Sequence, residues 1–426
     1  MSYRIVGIDV HKKMLAVVVA DVEVEGEYEF ARQRFGSYPE ELRRLSAWLS
    51  QQGVEEVVMA STAQYWQPVW GALERSGKPV CHRREGAGGM SGGLPLAQAQ
   101  SNRGRKGGKK DFPDAERLVK RLVAQELILS FVPEAEQRLW RAVTRRKYQL
   151  TRNRVQLPNR LESLLEEAHS KLSSLVSDLL GVSAPALAEG ETNPLALAAL
   201  ADQRLRASEA QLTDALGACT ELHPVYRRLL PMALPELPFL EQPRDQREQE
   251  IAALLRQHED AVQRLAEVPG LGVDSAQQII AEVGATAATF ASAQTLASWV
   301  GACPGDEESA EVSKSHRSPK GSRHMRRLLN QAANAAVRTK GSIFQIVYRR
   351  LVPRLGHHHT IGAIAHRLGR LIWLILHRGV RYEERGPAVS QRSLRQRTRK
   401  MIRELQKLGY RVERLSVVAN APAPAQ

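Results

Sequence analysis

Two apolar, β-branched runs open the chain, YRIVGIDV and KMLAVVVADV, joined by a short polar turn, and they predict a β-hairpin. VEEVVMA at 54–60 predicts a further strand, and before it PEELRRLSAWLSQQG sets leucines and Trp48 at helical spacing up to Gly53. Strands alternating with helices imply a layered α/β sheet. From Gly86 to Gly108 the pattern gives way to a Gly-rich, basic stretch that reads as a mobile loop; it holds no G-x-x-x-x-G-K-[ST] phosphate cradle. After Asp111 the chain turns helical. DAERLVKRLVAQEL carries one apolar stripe, and leucine-rich segments run from Pro133 towards residue 256. Leu161, Leu164, Ala168, Leu172, Leu175 and Leu179 recur at threes and fours, the spacing of a seam against a helix of the same chain or of a second copy. EVPGLGVDSAQQIIAEVG at 267–284 puts Gly270 and Gly272 in a tight turn between two helical patterns. That is a helix-hairpin-helix, whose backbone N–H groups can approach a phosphate, or an ordinary packing corner. The expected division is an α/β domain at 1–132, an all-α connector at 133–256, a mainly helical domain at 257–385, and a basic, partly disordered tail at 386–426.

Charge sharpens this picture. Lys and Arg outnumber Asp and Glu by 61 to 46, a formal charge of +15 that favours a polyanionic partner, with nucleic acid foremost. The cations cluster in RGRKGGKK (Arg103, Arg105, Lys106, Lys109, Lys110), in KSHRSPKGSRHMRR (Lys314, Arg317, Lys320, Arg323, Arg326, Arg327) and in the C-terminal tail. Aromatics make up only 5% of the chain, too few for a base-stacking platform. Cys81, Cys219 and Cys303 form no C-x-x-C pair, which argues against a zinc knuckle or a disulfide framework and suits a reducing cytoplasm. No stretch reads as an export or membrane signal. The HHH run at 357–359 has no complementary ligand nearby in sequence and is not read as a metal site.

Candidate chemistry begins with Asp9, a carboxylate ending an otherwise apolar strand, where burial is costly without a metal or donor. Asp111 and Asp114, three apart at a helix start, share one face of its first turn. One of them could simply cap the helix. Together with Asp9 they make an oxygen-rich set suited to Mg²⁺ or Mn²⁺.

The ordered motifs GIDVHK, VVMASTAQYW, KKDFPDAERL, VPGLG, LASWVGACPG and ESAEVSKSHRSPKGSRHMRRLL, from about residue 3 to 380, resemble those of the insertion-sequence family 110 transposases. The resemblance implies an RNase H-like, RuvC-like N-terminal domain and a helical transposase domain. It also implies a four-carboxylate site of one Asp on the first strand, a Glu on a later strand and two Asp on a helix. Asp9, Asp111 and Asp114 match, but Ala60 stands where the Glu belongs. Glu56 lies about 13 Å back along the same strand face and cannot stand in for it. Ala60 is either a natural loss or a deliberately inactivating substitution, and the intact remainder of the set favours the second.

The same resemblance implies that Ser309, in ESA, attacks DNA to form a phosphoserine, with Ser313, Ser315 and Ser318 as weaker competitors and Ala310 departing from the family's usual Gly. It implies too that a noncoding guide RNA pairs donor and target DNA, and that the protein acts in the bacterial cytoplasm as a homo-oligomer, a dimer of dimers. Two alternatives stay open: a RuvC-like, metal-dependent junction resolvase or nuclease in which water attacks, and a non-catalytic RNA- or DNA-binding protein.

Overall fold

The computed structural model describes residues 3–21, 28–61, 63–76, 94–99, 101–102, 111–167, 174–175, 193–199, 207–217, 225, 229, 236–304, 307–309, 312–315, 318–384, 398–399, 401–403, 405–407 and 409–412. The chain forms two compact units: Met1–His258 with Ile280–Ser292, and Glu259–Ile279 with Ala293–Gln426. The Gly-rich stretch, the RGRKGGKK block and most of the tail lie outside the described residues.

The first unit is built on a six-stranded sheet of β1 (Arg4–Val10), β2 (Met14–Asp21), β3 (Phe30–Gly36), β4 (Glu56–Ser61), β5 (Leu96–Ala97) and β6 (Leu129–Ser130). Their order is β3-β2-β1-β4-β5-β6. β1 and β2 are antiparallel, as are β2 and β3, whereas β4 runs parallel to β1 and β5 parallel to β4. Of the first five strands only β2 is therefore reversed, the topology of an RNase H-like domain. β6 extends it antiparallel to β5.

Both faces of the central strands are covered, which is why their sequences read as continuous apolar runs. Val6, Ile8, Val10, Val17, Val57 and Met59 pack under α1 (Pro39–Gln51) and α2 (Trp66–Ser76). α1 starts with Pro39 and an acidic first turn, and Gly53 beyond its end takes a left-handed φ of 62°. The opposite face, with Ile5, Val18, Val58 and Ala60, meets Ala115, Leu118, Val119 and Leu122 of α3 (Asp111–Val123). Gly7 makes that approach close: a Cβ there would lie 2.9 Å from Val119 Cγ2 and run into the Ala115 carbonyl oxygen.

Beyond the sheet, α4 (Ala135–Glu167) buries Leu157, Leu161 and Leu165. The seam thus includes Leu161 but takes Leu165 in place of Leu164, and its partner among the described residues is a helix of the same chain. After two short helices, α5 (Pro194–Ala199) and α6 (Glu209–Gly217), α7 (Glu236–Leu254) returns and packs along α4. Ala168, Leu172 and Leu179 lie outside the described residues.

α4 is also tied to the Ile280–Ser292 segment through Glu282, whose side chain is 3% exposed. Arg145 clasps it with two hydrogen bonds of 2.7 and 2.8 Å, and Arg141 stands 3.6 Å away. Burial pulls the Arg141 guanidinium down to about 10 against the opposing pull of Glu282. Glu282→Gln should destabilise the unit by about 2–3 kcal/mol, at the low end for a buried pair because Arg145 is 41% exposed. A urea midpoint indistinguishable from the parent's would show that the network contributes nothing.

The second unit is helical, with α8 (Glu259–Ala266), α9 (Val273–Val283, whose last turn groups with the first unit), α10 (Ala293–Val300), α11 (Arg323–Ala336) and α12 (Ile343–Arg378). α12 breaks at Gly356, whose φ of 72° is not helical. Ser322 and Ser342 cap α11 and α12, each hydroxyl accepting a hydrogen bond from a first-turn N–H. One short hairpin, β7 (Glu307–Ser309) and β8 (Val312–Ser315), precedes α11. No helix among the described residues is long and apolar enough to cross a membrane.

Candidate functional site

Strand alternation aims the first carboxylate. Ile5, Gly7 and Asp9 share the face of β1 that looks at α3, and the parallel pairing sets Asp9 directly beside Ala60 on β4. Ala60 is 4% exposed and packs on that same face. A side chain at 60 therefore leaves the sheet beside Asp9, about 4.8 Å away across the ladder. Glu56, at the far end of β4, accepts a 2.7 Å hydrogen bond from the Tyr3 hydroxyl and takes no part.

α3 supplies the other acids from its first turn, which Gly7 lets lie against the end of β1. The two differ. Asp111 reaches the strand end, where His11 Nε2 lies 3.3 Å from its Oδ1 and 3.0 Å from Asp9 Oδ2. Asp114 is turned to Arg117, which donates a 2.7 Å hydrogen bond to Oδ1, and its backbone carbonyl accepts from Asn102 Nδ2. Burial is the main force raising the Asp9 pKa; His11 opposes it, and the Asp114 and Asp111 charges add to it. A carboxylate pushed up by burial and by two like charges lacks positive charge, which a divalent cation would provide. The donors fit one: ligand atoms of Asp9, His11 and Asp111 lie within 4.8 Å of one another.

The sequence did not single out His11. The signal available was GIDVH itself, an imidazole two residues after Asp9 where β1 gives way to the turn. It also missed Arg34. The pairings Asp9–Ala16 and Ala16–Arg34 put Arg34 in the row of Asp9 and Ala60, two strands away. Its exposed guanidinium sits 5.3 Å over the Phe112 ring, next to Asp111, and has no carboxylate partner among the described residues. Arg32, one step down the face, is neutralised by Glu116 at 2.7 Å.

In the second unit Ser309 ends β7 and pairs with Val312 as the last rung of the hairpin. Ser313 lies opposite Glu308 and Ser315 opposite Glu307, while Ser318 follows on the path to α11. Arg323, Arg327, Asn330, Gln331, Asn334 and Arg338 line a groove along α11. The candidate cations divide. Lys320 and Arg323 are exposed, whereas Arg326 donates to the Pro319 carbonyl and Arg327 to Gln278 Oε1 at 2.8 Å. Lys314 is on β8; Arg317 and the Arg103, Arg105, Lys106, Lys109 and Lys110 block lie outside the described residues.

The two glycines of the turn also divide. Gly270, with φ of 87°, is pressed onto α11, where a Cβ would lie 2.6 Å from Ala336 N and run into the Ala332 carbonyl. Gly272 has open space where its Cβ would be, so of the two it has room for a phosphate.

Residues 6–170 match a family model for DEDD transposases of the IS110 type, described as Transposase. Residues 262–349 match the model Transposase IS116/IS110/IS902 family. A RuvC structure from Thermus thermophilus is similar at 13% identity over 30% of this chain and 99% of that chain, with a TM-score of 0.21. No curated protein matches.

Proposed function

The chain belongs to the IS110 family of transposases, and from that membership we propose that it is a recombinase of a bacterial insertion sequence. In this reading a noncoding guide RNA pairs donor and target DNA, Ser309 makes the covalent link, and Ala60 leaves the chain catalytically impaired. The observation that supports its metal-site part is the register of Asp9 with Ala60 on the sheet face that α3 covers, the helix whose first turn holds Asp111 and Asp114.

Asp9, Asp111 and Asp114 would hold Mg²⁺ or Mn²⁺, with Asp114 first leaving Arg117. The ion's contribution is Lewis acidity toward the phosphodiester and a lowered pKa for a reacting hydroxyl. Ser309 Oγ attacks phosphorus; the Oγ–P bond forms, the P–O3′ bond breaks, and the freed strand leaves as a 3′ hydroxyl carrying a proton. Lys320 and Arg323 balance phosphate charge. The freed 3′ hydroxyl then attacks the phosphoserine of the exchanged strand and regenerates Ser309. Two duplexes have four strands to exchange, which suits a dimer of dimers.

Because base pairing selects sequence, the protein's own contacts should be largely to backbone. Arg34 would hold a phosphate beside the metal. Arg34→Ala should weaken duplex binding and lower the slope of log K against log salt by about one, whereas Arg43→Ala, on the opposite layer, should leave the slope alone. Equal slopes for Arg34→Ala and the parent chain would remove Arg34 from the interface. The function itself is tested by supplying Ala60→Glu protein with Mg²⁺, both duplexes and the element's RNA. Joined donor–target product is expected only with the RNA, and product formed equally without it would overturn the guide mechanism.

A further inference from the structure

His11 lies between two of the carboxylates assigned to the ion, Asp9 and Asp111. It leaves β1 two residues after Asp9, and its backbone N–H donates to the Met14 carbonyl at 3.0 Å, which fixes the turn from which the ring projects. The Nε2 atom is sealed from solvent with no aligned hydrogen-bond partner. Yet it stands 3.0 Å from Asp9 Oδ2 and 3.3 Å from Asp111 Oδ1. A buried ring nitrogen within ion-pair reach of two carboxylate oxygens has the placement of a further donor around one ion.

We propose that His11 is a further metal ligand through Nε2, so that this chain adds an imidazole to the carboxylate donors of its ion and prefers Mn²⁺ to Mg²⁺. The proposal rests on the metal site assigned above. The preference follows from donor chemistry. Mg²⁺ demands oxygen donors in near-ideal octahedral geometry and gives up water reluctantly, whereas imidazole nitrogens suit transition metals. Ala60 strengthens the argument, because a site without its strand-borne Glu has one oxygen donor fewer and a nitrogen already in reach.

The test is pulsed electron paramagnetic resonance on the full chain loaded with Mn²⁺, with calorimetry for both ions. A directly bound ¹⁴N coupling is expected, converted to ¹⁵N when the protein is grown on [¹⁵N]histidine. It should vanish in His11→Gln and in Asp9→Asn and persist in His358→Gln, which separates it from the histidine run at 357–359. Mn²⁺ should bind at least about tenfold tighter than Mg²⁺, and His11→Gln should cut Mn²⁺ affinity roughly 10- to 100-fold while leaving Mg²⁺ near its starting value. Mn²⁺ bound at the carboxylates with no nitrogen coupling would overturn His11 as a ligand and leave the metal site standing. No Mn²⁺ bound by the unaltered chain would overturn the metal site, and this inference with it.

Discussion

Ala60→Glu should raise metal-dependent DNA strand transfer by a factor on the order of 10³, about 4 kcal/mol of transition-state stabilisation. Position 60 pairs with Asp9 and faces α3, so a glutamate there would leave the sheet toward the same ion as Asp9 and Asp111. Ala60 is 4% exposed and sits one residue before the end of β4, between β1 and β5, so the longer side chain must be accommodated on the face that α3 covers, where a bound cation would compensate its buried charge. Single-turnover rates with Mg²⁺ and with Mn²⁺ measure the effect. If the His11 inference holds, the gain should be larger with Mg²⁺, since restoring an oxygen donor helps the harder ion more. Equal, unmeasurable rates for parent and variant would mean that Ala60 is not what limits the chain.

Gly7→Ala should damage the same site from below. The added methyl would meet the Ala115 carbonyl and Val119, both on the buried face of α3, so neither can swing aside as a flexible side-chain end would. The helix must move instead, at about 1–3 kcal/mol for overpacking. Because Asp111 and Asp114 ride on that helix, their separation from Asp9 changes with it. An error near 1 Å can cost on the order of 100-fold in the chemistry. Leu122→Ala, at the far end of α3, is the matched control: it should lower stability comparably and leave metal affinity closer to the parent's. If both variants lose metal binding in proportion to stability, Gly7 has no special part in placing the acids.

The elements most legible in the sequence are those buried on both faces. β1, β2 and β4 are continuous apolar runs because helices cover the sheet on each side. β3 was not legible: its FARQRFG is an exposed edge strand with Arg32 and Arg34 on one face and Phe35 as its one fully buried residue. β5 and β6, of two residues each, have no pattern to read. The seam in α4 was legible in kind, yet whether it meets its own chain or a copy depends on where α7 returns, which spacing cannot encode.

In the site, Asp9, Asp111 and Asp114 stand out as acids in places where acids are costly or repeated. Their unequal roles do not: that Arg117 holds Asp114 while Asp111 meets His11 depends on rotamers. Arg34 needed the register of three strands before it could be related to Asp9. Gly270 was legible as a turn, but its closeness to α11 is a tertiary fact.

The most direct test of the account is a denaturing gel of Ala60→Glu protein with Mg²⁺, the element's RNA and cognate DNA labelled at each strand end. The expected result is a metal-dependent protein–DNA adduct, absent from the unaltered chain and lost again when Ser309→Ala is added. DNA cut by Ala60→Glu protein without an adduct, or an adduct that survives Ser309→Ala, would contradict the assignment of Ser309 as nucleophile.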